Sequence, residues 1–344
     1  MSDGRAEAHL SAGGAGRTLR GLLDGYQDTA LLYVAAKLGL ADLLTKGPRT
    51  SEELAAMTGA HPPSLHRILR GLVTVGAFFE DEERFGLTRL GEALRTEVQG
   101  SLRNQALVCG EQYMGAWGGL VHSVMTGETA FPHVFGVDQW EHRQRNVVLS
   151  ERFNADLNTE TARSAVAIVE AYDFSAFGVL CDVGGGHGAL LCAILAACPA
   201  MRGMLLERAH VATGARSYVE SKGLDKRCRV VEGDFFEGVP EGAGAYVMKS
   251  ILHDWPDVRS VAILRNCRRA LAADGRVILV ERVMPGLAND APDTVRVDLH
   301  MLAVTGGRER SEAEYQGLLE AAGLGLGRIV ATRSPFCLIE GVPR

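Results

Sequence analysis

The stretch from Leu180 to Ile194, LCDVGGGHGALLCAI, puts four glycines into five positions between two apolar runs. Glycine is unfavourable inside regular structure, so a loop this bare has a use for its exposed backbone. The first run reads as a strand and the second as a helix. Gly184, Gly186 and Gly188 then lie where backbone amides and a helix N-terminus can face a polar ligand group. A dinucleotide fingerprint spaces its glycines G-x-G-x-x-G, whereas this loop reads D-x-G-x-G-x-G. Asp182, two residues ahead, argues against a neighbouring pyrophosphate. A ligand with an ammonium and a ribose is better complemented by carboxylates.

Outward from this loop the pattern holds its period. After Asp173, short apolar runs (VLCDVG, GMLLE, CRVVEGD, AYVMKS, RVILVERV) alternate with helical segments, which predicts a doubly wound, mostly parallel α/β sheet. SEAEYQGLLEAAG reads as a helix capped by Ser311 and Glu314. GRIVATR and FCLIEG follow closely enough for a hairpin, so the sheet is expected to end antiparallel. Two further acids fall at strand ends. Glu207 is placed to accept ribose hydroxyls, and Asp234 to accept from an adenine amino group beside Phe235. Ligands of open α/β sheets bind at that edge.

Upstream, apolar residues recur at helical spacing from Leu19 to Leu44. Thr50 and Glu53 form a capping box for a short helix ending at Gly59. Leu65, Ile68, Leu69 and Leu72 share one face of the next helix, and FFEDEERFGLTRL reads as a hairpin around an acidic turn. That layout is winged-helix-like. The segment from Gln105 to Ala171 is mostly helical, with aromatic residues interleaved. The expected organisation is a tail over 1–18, a winged-helix-like domain over 19–105, a helical linker and substrate-wall segment over 106–171, and a catalytic domain over 172–344, with the main boundary near Ala171.

Composition narrows the function. With 36 Lys+Arg against 42 Asp+Glu the net charge is -6, a poor match to nucleic acid or an anionic membrane. Arg49 to Glu97 holds six Arg against eight acids, so the winged-helix pattern lacks the charge of a DNA-binding regulator. The 7 cysteines form no CxxC pair and fit a reducing cytoplasm. No apolar span is long enough to cross a bilayer, and no cluster has recognisable metal-ligand spacing.

The motifs DVGGGHG, GDFFEGVP, KSILHDWPD and GGRERSEAEY together resemble the S-adenosylmethionine-dependent O-methyltransferases of the plant caffeate and bacterial natural-product type, from about Leu19 to Glu340. The resemblance implies a helical dimerisation domain, a homodimer, and a class I, Rossmann-like methyltransferase domain. It implies cofactor contacts at Asp182, Gly184, Gly186, Glu207, Asp234, Phe235, Lys249 and Trp255. Relatives often carry Asp where this chain has Glu207. It also implies His253 as general base, flanked by Glu281 and Glu309 and without a metal. At its reference pKa of about 6.5 a histidine is appreciably neutral at physiological pH.

Met114, Trp117, Phe131, Phe153, Leu157, Asp254, Asp298, Met301 and Leu302 fall in segments that line the acceptor pocket of relatives, and their mixture suits a flat, mostly apolar ring bearing a phenolic hydroxyl. An antibiotic or pigment precursor is the expected class. His187 and His300 receive no role. A nicotinamide-dependent oxidoreductase is disfavoured by the glycine spacing and the HDW stretch. Transfer to carbon or nitrogen, and drift to hydroxylation or pericyclic chemistry, are rivals within the same fold.

Overall fold

The computed structural model describes residues 18–344, so the tail expected over 1–18 lies, apart from Thr18, outside the described residues. The chain forms two compact units, one ending at Gly110 and one beginning at Glu111. The second unit therefore begins well ahead of Ala171. The reason is packing. The long helix Val147–Ala171 lies against helix Ala189–Ala197, and its Ala165 and Ile168 are buried in the same core as Leu190, Leu191 and Leu195.

In the first unit the capping box predicted at Thr50 forms on both sides, with Glu53 N donating to Thr50 Oγ1 and Thr50 N to Glu53 Oε2, and Gly59 closes the helix Ser51–Thr58 in the left-handed region. Helix Pro62–Thr74 buries Leu65, Leu69 and Leu72. Strands β1 (Arg49–Thr50), β2 (Phe78–Asp81) and β3 (Arg84–Leu87) make a small antiparallel sheet in the order β1-β3-β2. Its hairpin turns through Glu82 and Glu83, both at positive φ.

The second unit is built on a seven-stranded sheet. Its strands are β4 (Val179–Val183), β5 (Arg202–Glu207), β6 (Cys228–Glu232), β7 (Ala245–Lys249), β8 (Arg276–Glu281), β9 (Leu324–Ala331) and β10 (Cys337–Pro343), in the order β6-β5-β4-β7-β8-β10-β9. The first five are parallel, and β10 pairs antiparallel with both β8 and β9. The order reverses beside β4, so the loops after β4 and β7 diverge to opposite faces and open a crevice at the carboxyl edge. Burial on both faces of β4, β7 and β8 explains their unbroken apolar runs.

Candidate active site

The glycine loop leaves β4 with Gly184, Gly186 and Gly188 at φ of 71°, 61° and 86°, conformations that side-chain-bearing residues rarely adopt. At Gly185 the constraint is contact: a Cβ there would come within 2.3 Å of the Asp182 carboxylate. Glu207, the last residue of β5, accepts from Gly186 N at 2.8 Å and from Arg208 N at 2.9 Å, tying the loop to the neighbouring strand. Asp234 accepts from Phe236 N at 2.9 Å and from Arg208 Nη1 at 3.0 Å. Lys249 ends β7, paired with Glu160 at 2.7 Å.

Burial pushes Glu207 up to about 7 against its two amide donors, and burial with the charge of Glu207 does the same to Asp182. Two acids at such a loop, Asp182 buried and Glu207 half-buried, favour a cationic ligand that also presents hydroxyls.

These groups face one cavity of about 660 Å³, lined by Gly184, Gly186, Glu207, Asp234, Phe235, Lys249 and Trp255 among others. Asp182 lies beneath the loop, 1% exposed, and does not line it. Trp255 stacks on Trp140 with centroids 5.5 Å apart and meets Phe236 edge-on at 4.9 Å, a flat aromatic surface suited to a ring.

At the same edge His253 sits in the short turn Leu252–Asp254 after β7. Ser250, at φ 54°, bends the chain out of the strand, and Glu281 Oε1 captures the turn by accepting from Ile251 N at 3.0 Å and Leu252 N at 2.9 Å. His253 Nδ1 lies 2.8 Å from Glu309 Oε1. With a carboxylate accepting at Nδ1, that nitrogen carries the hydrogen, so in the neutral ring the lone pair lies on Nε2. Asp298 accepts from Glu309 N at 2.9 Å and so steadies the partner of the histidine.

The electrostatics differ from the expectation of an ordinary histidine. Burial alone would push His253 down, but Asp254, Glu281 and hydrogen-bonded Glu309 together carry it up to about 10. The neutral fraction at pH 7 is correspondingly small. Burial pushes Glu281 up to about 7 and Asp254 up to about 6, each against the pull of His253.

Three residues escaped the sequence reading. Arg310, fully buried, donates to Leu252 O at 2.9 Å and to Trp255 O at 2.7 Å while pairing with Asp257 at 2.8 Å, so it clamps the histidine turn from behind. Gly307 passes so close to that turn that a Cβ would fall 2.0 Å from His253 O. The GGRER and HDW stretches are thus halves of one packed unit, visible in the sequence only as separate motifs. The other missed residue is Arg143, buried in the cavity wall.

Of the acceptor-wall residues predicted, Phe153, Leu157, Asp254 and Met301 line the cavity. Met114, Trp117, Phe131, Asp298 and Leu302 do not. Phe131 is fully buried in a satellite core with Ala116, Ala303 and Val304, because its helix turns that face inward. Trp117 stands behind His300, donating from Nε1 to His300 Nδ1 at 3.1 Å, and His300 itself lines the cavity, as does His187.

Comparison with known proteins places this architecture. The O-methyltransferase domain model matches residues 117–325, and the O-methyltransferase dimerisation domain model matches residues 21–97. The chain belongs to the O-methyltransferase family. It is 42% identical over 324 residues to the phenazine O-methyltransferase PhzM of Lysobacter antibioticus, covering 94% of each chain. With the mitomycin biosynthesis 6-O-methyltransferase of Streptomyces lavendulae it shares 38% identity over 317 residues, 91% of this chain and 90% of that one. The crystal structure of the O-methyltransferase NcsB1 from neocarzinostatin biosynthesis, in complex with S-adenosylmethionine and 2-hydroxy-5-methyl naphthoic acid, superposes with a TM-score of 0.85 at 36% identity, covering 96% of this chain and 100% of that one. This O-methyltransferase is a class I enzyme that uses S-adenosylmethionine. The bare glycine loop, the Glu207 carboxylate and the aromatic surface at Trp255 fit that cofactor's ammonium, ribose and adenine.

Proposed function

We propose that this chain methylates a phenolic hydroxyl of an aromatic secondary metabolite, with His253 as general base. The observation that carries the reading is the 2.8 Å contact between His253 Nδ1 and Glu309, which leaves Nε2 as the proton acceptor in a turn that lines the cavity. S-adenosylmethionine, when bound, supplies an electrophilic methyl group on a sulfonium. Gly184, Gly186, Glu207, Asp234, Phe235, Lys249 and Trp255 would hold it, with Asp182 beneath the loop.

His253 takes the proton of the acceptor hydroxyl at Nε2 as the oxygen attacks, and Glu309 balances the charge that develops on the ring. The raised basicity of His253 suits a phenol, whose own pKa lies near 10, so proton transfer is close to balanced. Glu281 acts through the backbone, holding the turn, and Asp298 acts through Glu309. The names of the relatives, a phenazine O-methyltransferase and a mitomycin biosynthesis 6-O-methyltransferase, support an aromatic acceptor.

The match to a dimerisation domain supports a homodimer formed through the first unit. Leu19, Leu22, Leu23 and Tyr26 are 54% to 74% exposed there, an apolar face that a second copy would cover. The seven cysteines are free, in keeping with a reducing cytoplasm. The acidic hairpin turn disfavours a nucleic-acid partner.

The test is calorimetric titration with S-adenosylhomocysteine beside NADH, followed by mass analysis of phenols incubated with S-adenosylmethionine. Binding of the former alone and a methyl ether product are expected, with His253→Ala binding S-adenosylhomocysteine but losing transfer. Binding of NADH alone would make the chain an oxidoreductase. A carbon- or nitrogen-methylated product would overturn the oxygen assignment, and an unchanged rate in His253→Ala would leave proximity as the catalytic device.

A further inference from the structure

Helix Pro292–Val304 turns one face to the cavity, with Val297, His300 and Met301 lining it at i, i+3 and i+4. Val297 and Met301 are apolar. His300 is the polar side chain between them, and the methyl transfer described above does not use it.

The ring of His300 is fixed from behind. Trp117, which does not line the cavity, donates from Nε1 to His300 Nδ1 at 3.1 Å, and Tyr113 meets the ring edge-on with centroids 4.4 Å apart. An indole N–H can only donate, so Nδ1 holds a lone pair and the hydrogen of the neutral ring sits on Nε2. Nε2 points away from Nδ1 across the imidazole, and hence away from Trp117 and toward the cavity. It has no hydrogen-bond partner among the described residues and is not sealed by its neighbours. Burial, with the charges of Arg143 and His253, pushes the pKa of the ring down to about 4, so protonation does not break the contact with Trp117 near neutral pH. The result is a rigid, uncharged N–H donor on the cavity wall.

The same helix fixes which ligand that donor meets. Asp298, two residues before His300, accepts from Glu309 N at 2.9 Å, and Glu309 lies 2.8 Å from His253 Nδ1. The helix is thereby tied to the histidine that faces the acceptor hydroxyl. Gly184, Gly186, Glu207 and Asp234 of the cofactor wall stand instead at or just after the ends of β4, β5 and β6.

We infer that His300, held by Trp117, donates from Nε2 to a carbonyl oxygen on the aromatic acceptor, so that hydroxyaryl ketones and quinones are preferred over plain phenols. The inference rests on the methyl-transfer reading above and narrows its substrate. A neutral N–H complements a neutral atom that can only accept, whereas an amine or ammonium in its place sets donor against donor. Val297 and Met301 flank the imidazole, and an exocyclic oxygen standing about 1.2 Å off its carbon reaches past them more readily than a ring nitrogen flush with the ring edge.

The experiment measures binding to the full-length protein saturated with S-adenosylhomocysteine. It pairs hydroxy-1-tetralones with the tetrahydronaphthols that carry a methylene in place of the carbonyl, and 5-hydroxyquinoline with 1-naphthol. At least one tetralone should bind about fivefold more tightly than its partner. That preference should fall to within about twofold in His300→Phe, which keeps a ring without the donor, and should weaken in Trp117→Phe, which leaves the cavity lining unchanged. Nitrogen NMR of histidine-labelled protein should show His300 neutral with its hydrogen on Nε2, a tautomer no longer enforced in Trp117→Phe. Retained affinity for S-adenosylhomocysteine shows that each variant is folded.

Equal affinity within every tetralone pair, or a preference that survives in His300→Phe, overturns the inference while leaving methyl transfer intact. A preference for 5-hydroxyquinoline over 1-naphthol with none for the tetralones moves the contact to a ring nitrogen and overturns the carbonyl assignment. His300 found with its hydrogen on Nδ1 removes the hold by Trp117. A tenfold loss of S-adenosylhomocysteine affinity in folded His300→Phe assigns the ring to the cofactor instead. Failure of the wild type to bind S-adenosylhomocysteine removes the methyl-transfer reading itself.

Discussion

Replacing Glu309 by Gln keeps an oxygen that can accept from His253 Nδ1 but removes the charge 2.8 Å away. Two unit charges at that separation attract by about 6 kcal/mol at an effective dielectric constant of about 20, before the opposing cost of burying both is counted. What survives that opposition for an adjacent ion pair is on the order of 1–3 pKa units. His253 in the intact protein is raised to about 10, above the ordinary histidine value, so it keeps its proton across the neutral range and becomes a base only as the pH rises. Glu309→Gln lowers that value, so the ascending limb of kcat/KM against pH moves down by about 1–3 units. For a shift of about 2 units the neutral fraction at pH 7 grows roughly a hundredfold, partly offset because a weaker base accepts the phenol proton less readily.

The assay is kcat/KM from pH 6 to 10.5 for transfer to 1,4-dihydroxynaphthalene, with product quantified by mass. Superimposable limbs for the two proteins, or a wild-type plateau already reached by pH 7, would refute the account of His253 as a base held high by its carboxylates.

Two other perturbations test the site differently. Gly307→Ala puts a Cβ into the backbone of the histidine turn, within 2.0 Å of His253 O and 2.6 Å of Trp255 N, so strain of at least about 1–3 kcal/mol is expected. It should appear as a lowered melting temperature and lost transfer, whereas Gly317→Ala, where a Cβ meets nothing within 4 Å, should be mild; equal effects would contradict the packing argument. His253, Glu281 and Glu309 bring candidate ligand atoms within 4.8 Å of one another, a cluster that could also suggest a metal ion. Since Glu309 is occupied with His253 and Glu281 Oε1 with two amides, activity should survive exhaustive treatment with a chelator, and loss restored by a divalent cation would assign the cluster to metal binding.

The parts of this enzyme that could be read along the chain are those whose chemistry is local. Strand, bare loop and helix at Leu180 to Ile194 announce themselves because glycine is tolerated there for one reason, and the capping boxes at Thr50 and Ser311 because both partners sit three residues apart. His253 and Glu309 were legible as members of separate motifs, but they stand 56 positions apart and only the fold brings them to 2.8 Å.

What tertiary structure alone decided are the properties that depend on neighbours through space. Phe131 turned into a core while Phe153 faced the cavity, although both belonged to one aromatic stripe, because helix packing chooses which face is covered. Glu281 spent one oxygen on the amides of the histidine turn rather than on the ring. The basicity of His253 rose because Glu281 and Glu309, from distant elements, join its chain neighbour Asp254 around it. Residue types and spacing therefore determined the fold, the cofactor loop and the candidate base that we propose. The charge state of that base follows from burial and distance, which exist only once the chain has closed on itself.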